Sequence, residues 1–247
     1  MAAIHIDITL KPKEELILPI QYNHILQSAI YKSISQELSR FLHETGYCTD
    51  SRSFKLFAFS RLMGPYRLNK DDNKIVFNSP VKLTISSPVK EFCESLVNTL
   101  LTNGTMQFLK DEVDIGHILL RKVAVEKENI RIKTLSPITV YSTLLRQDGS
   151  KYTCYFQPGD PDFKKLVLNN LVNKYKAFYK KEPDSSKFNI SRINKVRQHI
   201  MQYKNTVIKA YSGLITVSGP IEFLQMMVDS GVGSKNSQGF GCIDICS

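Results

Sequence analysis

Twice along this chain the spacing of apolar residues switches from every second position to every third or fourth and back. That switching limits the folds open to it more than any single residue does. Residues 3–10 alternate apolar and polar side chains, as a half-buried strand does. From Asn23, a candidate N-cap, the residues Ile25, Leu26, Ala29, Ile30, Ile34 and Leu38 fall on one helical stripe, and Gly46 is a stop signal beyond it. Residues 55–60 and 74–86 read as strands, with a polar turn at 69–73 and a break at Pro80. Val89, Phe92, Leu96, Val97, Leu100 and Leu101 form a second stripe ended by Asn103-Gly104, and extended segments follow to Val125. Strand, helix, strand, strand, helix, strand is the ferredoxin-like order, so residues 1–126 read as one α+β domain.

After a short charged break the pattern repeats. Residues 130–143 are strand-like around Pro137, and Asp160-Pro161 opens a helix carrying Phe163, Leu166, Val167, Leu171, Tyr175 and Phe178. A strand-rich run at 206–217, a short helix at 220–230 and a closing strand at 240–246 complete a second ferredoxin-like domain, residues 127–247. No sequence repeat accompanies the duplication, which rests on element order.

A chain of 247 residues, 42% hydrophobic and 23% charged, can bury a core as one large domain or two small ones. Its net charge of +10 points to a polyanionic partner, most often nucleic acid. No apolar run is long enough to span a membrane, and Asp7, Glu14 and Glu15 near the start argue against a secretory signal. The five cysteines are scattered without a CxxC pair, which speaks against a disulfide framework or structural zinc and fits a reducing cytoplasm. The five histidines show no metal-binding spacing, so the expected chemistry needs no bound metal and no cofactor.

Near the C-terminus, GVGSKNSQGFG places Gly231, Gly233, Gly239 and Gly241 around Ser234, Lys235, Asn236, Ser237 and Gln238. Glycine permits positive φ and leaves the backbone bare, so consecutive N–H groups can face one anion, with Lys235 adding charge. A plain connection between a helix and the last strand explains the same residues, and no Gly-Lys-Ser/Thr opens a helix as a P-loop would. Between Asp184 and Glu222 there is no acidic residue, while Lys187, Arg192, Lys195, Arg197, Lys204 and Lys209 lie there with Phe188, Tyr203 and Tyr211 interleaved. Cations neutralise phosphates and aromatic faces stack unpaired bases, so this segment is a candidate RNA contact; a solvated loop and strand face is the plainer account.

GVGSKNSQGFGCIDI resembles the glycine-rich signature of the CRISPR-associated endoribonucleases that cut precursor CRISPR RNA within its repeats, in the repeat-associated mysterious protein superfamily. LPIQYNHILQSAIY (18–31), FLHETGY (41–47) and FKLFAFSRL (54–62) match the same family near the N-terminus, so the resemblance covers the whole chain. It implies two tandem ferredoxin-like domains, repeat RNA as ligand and onward transfer of the product to a CRISPR effector complex; it leaves dimerisation open. The family's catalytic tyrosine falls at Tyr31, its histidine at His43 and its lysine at Lys55.

The chemistry makes this set sensible. Metal-free RNA cleavage needs a base for the ribose 2′-OH, an acid for the departing 5′-oxygen and a cation for the phosphorane, and histidine best suits the first task near neutrality. The resemblance assigns His43 as base, Tyr31 as acid or orienting partner and Lys55 as electrostatic stabiliser, with 2′,3′-cyclic phosphate and 5′-hydroxyl products. Taken singly, Tyr31 reads as a core or rim aromatic and Lys55 as an exposed charge, and His24 is a second histidine to weigh. One geometric condition follows. Twelve residues of unbroken helix would separate Tyr31 and His43 by about 18 Å, so the helix must bend or end before His43. The segment 46–53 is also longer than the family pattern leads one to expect, which bears on the lysine. The competing reading is a non-catalytic RNA-binding subunit of an effector complex on the same fold.

Overall fold

The computed structural model describes residues 3–49 and 52–246; residues 50 and 51 of the long 46–53 segment lie outside them. The first half begins with β1 (Ala3–Lys11), β2 (Glu15–Pro19), α1 (Asn23–Lys32) and α2 (Gln36–Glu44). The short strands β3 (Tyr47–Cys48), β4 (Ser53–Phe54) and β5 (Ala58–Phe59) follow, then β6 (Tyr66–Asn69), β7 (Lys74–Asn78) and β8 (Val81–Ser87). It ends with α3 (Lys90–Asn103), β9 (Thr105–Phe108) and β10 (Asp111–Val123). The second half holds β11 (Asn129–Thr134), β12 (Tyr141–Leu145), β13 (Lys151–Tyr155) and α4 (Pro161–Tyr179). The long hairpin β14 (Asn189–Tyr203) and β15 (Thr206–Ser218), then α5 (Ile221–Ser230) and β16 (Ile243–Ile245), complete it.

The two main sheets share one topology. One runs β5-β8-β1-β10-β9 and the other β14-β15-β11-β16, with all pairs antiparallel. In each, the first strand of a strand-helix-strand-strand-helix-strand unit lies between its third and fourth. This is the ferredoxin-like arrangement twice, as the element order predicts. The sheet β2-β7-β6 and the hairpin β12-β13 are additions to that frame.

Alternation in β1 buries Ile6, Ile8 and Leu10, and they belong to one apolar cluster with Ile25, Leu26 and Ile30 of α1 and Phe92, Leu96 and Leu100 of α3. The same cluster contains Ile132, Leu171 and Val228, so the two halves share a core. Helix α5 explains this. It packs on α4 and also on β1 and β8 of the other half, and every residue from Phe223 to Ser230 is buried. Arg121 of β10 adds a polar tie, its guanidinium reaching Asp7 of β1 at 2.5 Å and Asp244 of β16 at 3.4 Å.

Three local expectations are corrected. The stripe from Ile25 to Leu38 is two helices, because Ser33 ends α1 and Ser35 starts α2 by accepting a hydrogen bond from the Leu38 N–H at 3.3 Å. Residues 55–60 do not form one strand, because Leu56 at φ 52° turns the chain between β4 and β5. The basic segment is mostly regular structure: β14 is an outer strand with two bulges, joined to β15 by a turn at Lys204. Charges and bulges on such a strand also discourage edge-to-edge pairing.

Candidate active site

The polar face of α1 founds the site. His24, Gln27, Ser28 and Tyr31 follow the i, i+3, i+4, i+7 spacing of one helix side, opposite the buried stripe. The break at Ser33–Ser35 turns α2 back, so His43 lines the same cleft as Tyr31, together with Lys55. The cleft measures about 720 Å³ and is completed by Tyr203 and Lys204 from the hairpin tip and by Lys235, Ser237 and Gln238 from the glycine loop. The three residues named by resemblance therefore meet in one place, and the required helix break is what brings them there.

Each has a distinct environment. His43 is exposed near the end of α2, and its backbone carbonyl accepts a hydrogen bond from the Lys55 ammonium at 3.3 Å. Burial holds the Lys55 ammonium below the ordinary lysine range. Tyr31 is half-buried, edge-on to Phe57 with ring centroids 5.8 Å apart. Burial, and to a lesser degree the Tyr203 phenol, pushes the Tyr31 phenol up to about 12. At neutral pH Tyr31 thus keeps its proton and can donate it. His24 stands edge-on to Tyr203 at 6.5 Å in the same cleft.

Helix α1 also holds the glycine loop. Asn23 is not the N-cap; Tyr22 is, and no side chain caps the helix. The Asn23 amide instead donates to the carbonyls of Gln238 (3.0 Å) and Gly239 (3.3 Å), and Gln27 donates to that of Ser237 (2.7 Å). Gln27 in turn accepts from the Tyr203 hydroxyl, linking helix, loop and hairpin tip.

The loop itself corrects the idea of a bare row of amides. The N–H groups of Val232, Ser234, Gln238, Gly239 and Gly241 already donate to protein carbonyls, and Asn236 is buried with its amide on the carbonyls of Val232 and Phe240. The glycines are needed for close packing. At Gly241 (φ 70°) a Cβ would lie 2.0 Å from the Val232 oxygen, and at Gly239 (φ 86°) 2.6 Å from the Asn23 amide. Gly231 and Gly233 are likewise at positive φ and buried. What the loop presents to the cleft is Lys235, Ser237 and Gln238; Gly233, Ser234 and Asn236 border a neighbouring hollow. Burial lowers the Lys235 pKa, and its ammonium lies 5.1 Å from the Tyr141 ring centroid.

Of the four basic hairpin candidates, Lys204 lines the cleft. Arg192 borders a separate hollow beside Phe163, and Lys195 lies in a bulge of β14 that Arg197 closes, outside the cleft lining. Residues missed in the sequence are Gln27, Ser28 and the loop-holding role of Asn23; the polar stripe from His24 to Tyr31 was the available signal.

The first half of the chain, residues 17–118, matches the family model "CRISPR-associated protein Cas6, N-terminal", and residues 120–245 match "CRISPR associated protein Cas6, C-terminal". A relative named CRISPR-associated endoribonuclease Cas6 1, from Methanocaldococcus jannaschii, is 29% identical over 251 residues, covering 98% of this chain and 92% of its own length. A solved structure described as CRISPR associated protein Cas6 superposes with a TM-score of 0.80 at 27% identity, covering 99% of this chain and 100% of the other. Another, described as an RAMP protein binding different RNA substrates, shares the fold with a TM-score of 0.83 at 20% identity, covering 99% and 100%. With both halves matched by its models, the chain belongs to the CRISPR-associated Cas6 family.

Proposed function

We propose that this chain is an endoribonuclease that cuts precursor CRISPR RNA within its repeats, without a metal, by attack of a ribose 2′-OH on the adjacent phosphorus. The observation that carries this reading is the meeting of His43, Tyr31 and Lys55 in one cleft, floored by the polar face of α1 and flanked by Lys204 and Lys235. Relatives named as endoribonucleases over nearly the full chain support it.

His43, exposed and able to reach substrate, takes the 2′-OH proton. Tyr31 supplies the proton for the departing 5′-oxygen: a phenol at about 12 is less basic when ionised than an alkoxide, so the transfer runs downhill. Lys55, fixed against the His43 carbonyl, stabilises the extra negative charge of the phosphorane. Lys204, Lys235 and Ser237 hold neighbouring phosphates, while Gly231, Gly233, Ser234, Asn236, Gly239 and Gly241 keep the loop in shape. Arg192, Lys195 and Arg197 extend the basic surface along β14. The products carry 2′,3′-cyclic phosphate and 5′-hydroxyl ends and pass to an effector complex.

The test is labelled repeat RNA incubated in EDTA with wild type and with His43→Ala. Wild type cuts at one position, and the variant binds RNA with similar affinity but cuts at least a hundredfold more slowly, about the contribution of a positioned base. Wild type that binds and leaves RNA whole would point to a non-cleaving subunit of an effector complex.

A further inference from the structure

Beyond Lys235 lies a second hollow of about 660 Å³, walled by α4, the 52–57 segment, β12 and the glycine loop. Lys55, Lys235, Ser237 and Gln238 border both hollows, so the second adjoins the candidate active site.

The α4 wall is unusual for a buried helix face. Leu166, Asn170 and Lys174 recur every fourth residue and so look the same way, yet two of the three are polar and almost fully buried, Asn170 7% and Lys174 3% exposed. Lys174 is accounted for by the fold. Its ammonium donates to the carbonyls of Gly231 at 2.7 Å and Ser230 at 3.3 Å, pinning the entry of the glycine loop. Asn170 is not accounted for. Its side-chain oxygen is buried and finds no hydrogen-bond partner among the described residues. Buried polar groups left in this way carry a penalty, and a half-turn of the amide, which exchanges its oxygen and nitrogen, would let a donor on a ligand in the hollow complete this one.

The rest of the lining says what kind of ligand. Arg52, Lys55 and Lys235 bring cationic side chains, Lys174 being taken up by the loop carbonyls, and no Asp or Glu borders the hollow among the described residues. Tyr141 contributes an aromatic ring. An amide offers an acceptor and two donors in one plane, the complement of a nucleobase edge, and single-stranded RNA is read through such edges and through stacking.

We propose that this hollow binds one unpaired nucleotide of the repeat RNA next to the cut phosphodiester, with its base hydrogen-bonded by Asn170 and its phosphate held by Lys235. The proposal rests on the ribonuclease reading above and gives it a base-specific subsite. Asn170 is a specificity residue and takes no part in bond breaking.

The test compares His43→Ala with His43→Ala/Asn170→Leu for affinity towards repeat RNAs made abasic at one position at a time. Leucine keeps the branched shape, its extra bulk can extend into the hollow, and it removes the buried unpaired oxygen, so thermal melting of the double variant stays at or above its parent's. On intact RNA the Asn170→Leu change weakens binding about tenfold, the scale of one base contact. At one abasic position, within a few nucleotides of the cut made by wild type, the two proteins bind equally. Equal affinity for intact RNA, the same loss on every abasic RNA, or an insensitive position far from the cut would each overturn the pocket. Failure of wild type to cut is a separate result that strikes the ribonuclease reading, and the affinity comparison remains readable without cutting.

Discussion

Tyr31→Phe removes one hydroxyl and isolates the acid role. Burial raises this phenol from 10.0 to about 12. At about 12, roughly one molecule in 10⁵ carries phenolate at pH 7. Tyr31 is therefore a donor throughout the working range, and its ionisation adds no alkaline limb to the rate profile below about pH 11. Losing a positioned general acid costs about 10²–10⁴ in rate, or about 3–5 kcal/mol of transition-state stabilisation. The T-shaped contact with Phe57 survives the change, so the fold and RNA affinity stay close to wild type. The decisive assay is single-turnover cleavage of repeat RNA with sulfur in place of the bridging 5′-oxygen at the cut. A thiolate leaves without a proton, so Tyr31→Phe regains nearly the wild-type rate on that substrate while His43→Ala stays slow. A Tyr31→Phe defect of the same size on both substrates would refute the acid role.

Other consequences follow from the packing. Gly241→Ala places a methyl 2.0 Å from the Val232 oxygen at φ 70°, whereas Gly104→Ala, at φ 67°, meets nothing within 4 Å. The second should cost only the left-handed backbone penalty of about 1–2 kcal/mol, and the first about 3 kcal/mol or more with loss of cleavage; equal shifts in melting temperature would contradict a packed loop. Lys174, buried, is pulled from 10.5 down to about 7. The unfolded chain then binds more protons between those pH values, so this residue makes stability rise with pH across that window. Lys174→Met should flatten the rise between pH 7 and 9 by up to about 2 kcal/mol in urea titrations, and an unchanged slope would show that the ammonium is not buried in solution.

Much of this molecule was legible in the sequence because apolar periodicity reports local burial. Strand β1, helices α3 and α4, and the duplicated order all follow from it. The break between α1 and α2 was hidden because Ile34 and Leu38 continue the Ile25 stripe; it was required by the distance from Tyr31 to His43 and not signalled by a proline or glycine. Strand β14 lacked alternation because it is an outer strand with bulges, where side chains on both faces meet water. Long-range packing was beyond reach. The partners that force glycine at 233 and 239 are Thr139 in one case and Asn23 and Phe59 in the other, and nothing in residues 231–241 names them. Asn170 reads as an ordinary polar residue in a helix until the fold buries it.

The most direct measurement is the chemistry of the cut ends, taken on repeat RNA and on the same RNA lacking a single 2′-OH at the cut. Attack by the neighbouring 2′-OH requires 2′,3′-cyclic phosphate and 5′-hydroxyl ends, in EDTA, and no cleavage of the deoxy-substituted RNA. A 5′-phosphate product, or undiminished cutting without that hydroxyl, would mean that water attacks instead and that His43, Tyr31 and Lys55 serve a different reaction.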